Sequence, residues 1–179
     1  MWEKTLPKYP GRTWGEDVLK VAQSQMNYHE SVKNYQLDKD GETKRGYNRY
    51  GVWYGGKEGA YSEWSTKFVS FCLNYAGIPQ EAVPRHGGAF GLSLLAEDMG
   101  LLEDYSYTPE PGDIVFLRDE DCLNVNRTAI VASVTNMIEN GEKIPCITII
   151  EGDRNDAVAP FRYALDDEIV EGYISIAKA

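Results

Sequence analysis

The sequence predicts an α+β domain in which N-terminal helices pack on one face of an antiparallel β-sheet, and three observations carry that prediction. Segments with helical apolar spacing come first, over residues 13–26, 65–77 and 89–99. Pro109 and Pro111 then mark a change of regime, and five short strand-like runs follow. Between the second and third of these lies Asn140-Gly141, the dipeptide best suited to a two-residue hairpin turn. A chain of 179 residues, 42% of them hydrophobic, can bury one sizeable core. A single domain over residues 13–179 is therefore expected, after an irregular lead-in over residues 1–12.

The first helix opens on Thr13 and Glu16, the Thr-x-x-Glu pattern of a capping box, and carries Val18, Val21, Ala22, Gln25 and Met26 on one face. Residues 33–61 are rich in tyrosine, glycine and charge without a sustained apolar period, which predicts a long structured loop region. Within it, Asp38-x-Asp40-Gly41 has a faint likeness to a calcium loop but lacks the closing glutamate, so a polar turn is expected. The second helix runs from Ser65 to Gly77 and the third from Ala89 to Gly100, each ending on the glycine that a C-terminal cap favours. The strand runs are Asp113 to Leu117, Thr128 to Asn136, Ile144 to Ile150, Pro160 to Leu165 and Val170 to Ile176.

Twenty-eight acidic against eighteen basic residues give a formal net charge of -10, which repels phosphate backbones and anionic bilayers. Nucleic acid is excluded as a natural partner. No twenty-residue apolar run suggests membrane insertion, and MWEKTLPKYPGRTWGE at the start has no apolar h-region of a signal peptide. Cys72, Cys122 and Cys146 are widely spaced and odd in number, so they are expected to be small buried hydrophobes, neither disulfides nor zinc ligands. No cofactor or metal is expected, and the protein is expected to be a monomer.

Several stretches together resemble one family: GRTWGEDV from Gly11, RYGVWYG from Arg49, WSTKFVSFCLNYAGI from Trp64, PGDIVFL from Pro111, RTAIVASV from Arg127, IIEGD from Ile149 and EGYISI from Glu171. In that order and spacing they look like the CHAP amidase/endopeptidase domains of the NlpC-type, papain-like superfamily. The resemblance implies a papain-like fold and an extracellular or cell-surface setting. It also implies a mechanism in which a cysteine at a helix start attacks an amide of peptidoglycan, assisted by a histidine on a strand. The family motif Trp-Cys-Ala-x-Phe-Val-Ser-Trp-Cys lies on Trp64 to Cys72 and puts Ser65 at the nucleophile's position. The family's His-Val-Gly-Ile-Val strand lies on Arg127 to Val131 and puts Arg127 at the base's position. The Glu-Gly-Asn pattern falls on Glu151, Gly152 and Asp153, keeping the glutamate and replacing the amide.

Three of these four positions, Ser65, Arg127 and Asp153, are thus substituted. A helix-terminal cysteine beside an imidazole can ionise near neutrality, whereas a serine needs a base to take its proton. A guanidinium has no acceptor and a pKa above ~12, so Arg127 cannot be that base. Lys67 stands about 200° around the helix from Ser65 and is expected to face solvent, and Cys72 lies ~10 Å farther along the axis, in the core. His29 and His86 lie off the strand on which the family places its base. Arg127 is expected to pair with Glu151, Asp153 or both.

The reading that follows is a catalytically silent CHAP-like domain, a pseudoenzyme whose cleft, lined by Tyr50, Trp53, Tyr61 and Trp64, holds a peptidoglycan stem peptide or a protein partner. The same aromatic residues could instead brace the long loop against the helix. The alternative function is an active cell-wall amide or peptide hydrolase using Ser65 or a rebuilt site.

Overall fold

The computed structural model describes Leu6 and residues 11–179; the expected lead-in lies for the most part outside the described residues. Helix α1 spans Trp14–Ser24 and begins as expected, with the Thr13 hydroxyl accepting the Glu16 N–H at 3.2 Å. Glu16 reaches back one residue beyond the cap, to the Arg12 N–H at 2.6 Å. The Glu16 N–H, one of the unpaired donors at the helix start, is satisfied by the Thr13 hydroxyl. Val18, Val21, Ala22 and Gln25 are buried.

The expected loop over residues 33–61 is more ordered than its sequence suggests. Strands β1 (Ser31–Leu37) and β2 (Lys44–Tyr47) form a separate antiparallel hairpin, and helix α2 covers Arg49–Gly55. Every β1 residue after Ser31 is exposed, so no apolar alternation advertises the strand. Asp40 closes the hairpin by accepting the N–H groups of Glu42 and Thr43, both at 2.9 Å, and Gly41 adopts φ +74°. This is an Asx turn, which is what the Asp38-x-Asp40-Gly41 segment is for locally. Asn48 caps α2 by accepting the Gly51 N–H at 2.6 Å.

Helix α3 is Ser65–Tyr75, and its side chains Phe68, Val69, Phe71, Cys72 and Leu73 are all wholly buried. Helix α4 is Ala89–Asp98. Gly77 and Gly100, at φ +74° and +70°, end the two helices in the left-handed conformation that side chains resist.

The remaining chain builds a six-stranded antiparallel sheet from β3 (Leu102–Asp104), β4 (Ile114–Leu117), β5 (Arg127–Glu139), β6 (Glu142–Arg154), β7 (Ala157–Ala164) and β8 (Val170–Ile174), in the order β3-β8-β4-β5-β6-β7. The three-residue β3 is too short to show a period in sequence. Asn140 and Gly141, at φ +49° and +84°, make the β5–β6 turn. Helices α1 and α3 lie on one face, where Ile114, Phe116, Ile130 and Ile150 meet Val18, Phe68 and Cys72. The alternate residues Val115, Leu117, Ala129, Val131, Ile147 and Ile149 point away from the helices and are nevertheless fully buried. Half-buried side chains, among them Tyr107, Leu165 and Ile169, pack against that second face. The ladders carry register shifts between Phe116 and Leu117 and between Val131 and Ser133. Helices on one face and an antiparallel sheet are as the sequence predicts; the second buried layer is new.

Among the described residues, no helix is long and apolar enough to cross a membrane. Cys72 and Cys146 are buried as expected, but Cys122 is only half-buried because it lies in the loop between β4 and β5.

Candidate functional site

The N-terminus of α3 is held from two sides. Trp64, the N-cap, has no side chain capable of capping, and its own N–H donates to Asp153 Oδ2 at 2.7 Å. Its indole Nε1–H donates to Glu30 Oε2 at 2.9 Å, and Glu30 Oε1 accepts the Gly46 N–H at 2.6 Å. Two residues on, Thr66 and Thr128 join their hydroxyls at 3.2 Å and tie the first turn to β5. Ser65 sits between these anchors, nearly buried, and opens on a shallow cleft of about 190 Å³. Asp119, Asn126, Arg127, Asp153 and Asp156 line that cleft with it. The positive end of the helix favours a negative group there, but burial works against the charge on Asp153.

Arg127, the first residue of β5, is committed to two carboxylates. Its Nη1 donates to Glu151 Oε1, while Nε and Nη2 donate to Asp119 at 3.1 and 2.8 Å. Glu151 is the expected partner, whereas Asp119 replaces the expected Asp153. The cause is the turn in β6: Asp153 adopts φ +74°, at a register shift between Glu151 and Arg154, and is aimed at Trp64 instead. Asp119 could not be read as the second partner, because it belongs to a loop that Asn126 closes by donating to it at 2.8 Å.

The electrostatics follow from burial. Burial lowers the guanidinium pKa of Arg127, but Glu151 and Asp119 outweigh it and the net shift is upward, so the side chain stays cationic. Burial raises Glu151, with Arg127 opposing. Its Oε2 is buried without a hydrogen bond, 4.0 Å from Arg154 Nη1. Burial also raises Asp119, yet the hydrogen bonds from Asn126 and Arg127 leave its carboxyl below the ordinary value. Asp153 is pushed up to about 7, first by burial and then by Glu30 and Glu63, against the pull of the Trp64 N–H and Arg45.

Among the described residues, no histidine or free amine stands beside Ser65. His86 Nδ1 lies 3.0 Å from the Gly88 nitrogen, and His29 bridges to Ala157; neither lines the cleft. Lys67 does not face open solvent as expected: its Nζ folds back onto Ser62 and onto the Glu63 carbonyl at 2.7 Å, and burial lowers its pKa. Cys72 is wholly buried and pushed well up by desolvation. Asp153 is the cleft carboxylate that titrates near neutrality, with one oxygen already engaged by Trp64.

The aromatic lining expected of the cleft is elsewhere. Tyr50 and Trp64 are wholly buried and stack on each other at 5.0 Å, with Phe68 and Phe71 edge-on to Tyr50. Trp53 packs on Phe71, and Tyr61 donates its hydroxyl to Asn34 at 2.8 Å. Tyr50, Trp53 and Trp64 brace α2 against α3, since large apolar rings gain more from burial there than from a wet cleft, while Tyr61 packs on the hairpin.

Glu30, Asp153 and Asp156 each bring a carboxylate oxygen within 4.8 Å of the others. Both Glu30 oxygens already accept hydrogen bonds, and three ligands fall short of the six to eight oxygens that calcium takes. Compared with known proteins, the chain matches no family model, no curated protein and no solved structure.

Proposed function

We propose that the chain is a catalytically silent domain of the papain-like CHAP type that binds a peptide, from peptidoglycan or from a protein partner, at the cleft beside Ser65. The motifs from Trp64 to Cys72 and from Glu151 to Asp153 support the family. So does the meeting of Ser65, Arg127 and Asp153 around one cleft at the start of a helix laid on an antiparallel sheet. A cell-surface setting belongs to the same reading.

The observation that carries the silent state is the engagement of Arg127. At the strand position where a base belongs stands a cation whose donors face Asp119 and Glu151. A serine hydroxyl at such a site keeps its proton.

The test incubates the protein with purified peptidoglycan and synthetic stem peptides from pH 6 to 9, measuring newly released amino groups and the co-sedimented fraction. Binding without release is expected, with no change in release in Ser65→Ala. Release that grows through pH 7 and vanishes in both Ser65→Ala and Asp153→Asn would overturn the reading and make Asp153 the base. Release by the Ser65→Cys, Arg127→His variant alone, with its fold checked by circular dichroism, supports a vacated site on an intact scaffold.

A further inference from the structure

Helix α4 buries one side and leaves large apolar side chains exposed beside Glu97 and Asp98 on the other. Ala89, Leu92 and Ala96 face α3 and β3. On the other side Phe90 and Leu94, four residues apart, form one exposed ridge, and Leu95 and Met99 form a second. Leu102, just beyond the helix, continues the patch, and these five side chains are 38–46% exposed. An apolar patch of several large side chains on one element marks an interaction surface.

Charge says what covers it. Residues 87–117 contain six carboxylates, Glu97, Asp98, Glu103, Asp104, Glu110 and Asp113, and no lysine, arginine or histidine. Lys178 reaches Glu103 at 2.6 Å, while Glu97 and Asp98, on α4 itself, form no ion pair among the described residues. The apolar ridges are therefore edged by uncompensated negative charge in a chain that already carries -10. We infer that the exposed face of α4 docks a basic amphipathic helix of a protein partner, whose apolar stripe covers the Phe90 and Leu94 ridge and whose lysines or arginines meet Glu97 and Asp98, which flank that ridge on either side at 100° per residue. Ridges at four-residue spacing suit the anchors of such a helix, and opposite charge at the rim sets its orientation and speeds its encounter. None of the cleft's lining residues belongs to this face, so the inference stands apart from the proposal for Ser65.

The probe is a fluorescein-labelled eighteen-residue peptide with leucine at positions i, i+3, i+4 and i+7 and lysine elsewhere, titrated by fluorescence anisotropy. Saturable binding is expected, weakened at least tenfold by Leu94→Ser with Phe90→Ser, by Glu97→Lys with Asp98→Lys, and by raising salt from 0.05 to 0.5 M. Because these side chains are exposed, circular dichroism of the variants should match the parent. Equal binding by a scrambled peptide, or binding indifferent to both pairs of substitutions, overturns the inference. Two other outcomes also overturn it: a dimer in sedimentation velocity that Leu94→Ser abolishes, which assigns the face to a second copy, and co-sedimentation with phosphatidylcholine vesicles, which assigns it to a bilayer.

Discussion

Arg127 neutralises a carboxylate that the fold has taken out of water. Glu151 is wholly buried, and the guanidinium is its principal compensation. Arg127→Met removes the cation and leaves the carboxylate in the interior, which should cost about 3–5 kcal/mol in urea unfolding at pH 7. Adding Glu151→Gln to Arg127→Met should recover much of that loss, because no net charge is then left buried. Asp153 behaves in the opposite sense to a salt-bridged acid. Its pKa rises from 3.8 in a free side chain to about 7 in the fold, so the folded state holds a proton that the unfolded chain has released. Its contribution to stability is therefore most favourable below pH 4 and declines as pH rises to 7. Asp153→Asn keeps an acceptor for the Trp64 N–H, tolerates the left-handed backbone and removes the titration. That variant should be more stable than the parent at pH 8 by roughly 1–3 kcal/mol and indistinguishable from it at pH 4, read from melting curves at the two pH values.

Among the elements, β6 and α3 approach most closely where the site is built. A Cβ placed on Gly152 would lie 2.7 Å from Trp64 Cζ3 and 2.9 Å from Phe68 Cβ, both in the packed core. Gly152→Ala should therefore destabilise by about 1–3 kcal/mol and move Asp153 away from the helix start, seen as a changed Trp64 indole signal in NMR. The glycine of the Glu-Gly-Asp triplet is thus explained by packing alone. At the other end of the helical layer, Thr13→Ala removes the cap of α1 and should cost about 1 kcal/mol, measured by chemical denaturation. The hairpin of β1 and β2 escaped sequence reading for a physical reason. A strand with neither face buried has no apolar period, and its register rests on the Asp40 turn and on Tyr47 and Tyr61 packed edge-to-face.

Across the whole molecule the two apolar layers differ in how they are closed. The helices cover one face of the sheet, whereas the other is covered by side chains of the strands themselves and of the segments around Tyr107 and Ile169. Amide hydrogen exchange should show the strongest protection in the paired central parts of β5 and β6. The β1–β2 hairpin, which shares no ladder with the main sheet, should exchange through local opening at least a hundredfold faster. Uniform protection of the two would contradict this division.

Helices α1, α3 and α4, the β5–β6 turn and the strands β4 to β8 were legible in the sequence to within a few residues. Each is specified by local periodicity, a cap or a turn dipeptide. The sequence also determined that Arg127 cannot accept a proton, since that is a property of the side chain itself. Tertiary structure alone decided which charges meet. Asp119 rather than Asp153 closes on Arg127, Asp153 and Glu30 grip Trp64, and Tyr50 and Trp64 go inward rather than to a cleft. The reason is distance along the chain. Residues 30, 64, 127 and 153 come together only once the sheet has formed and α3 has settled on it, and no local pattern encodes that meeting.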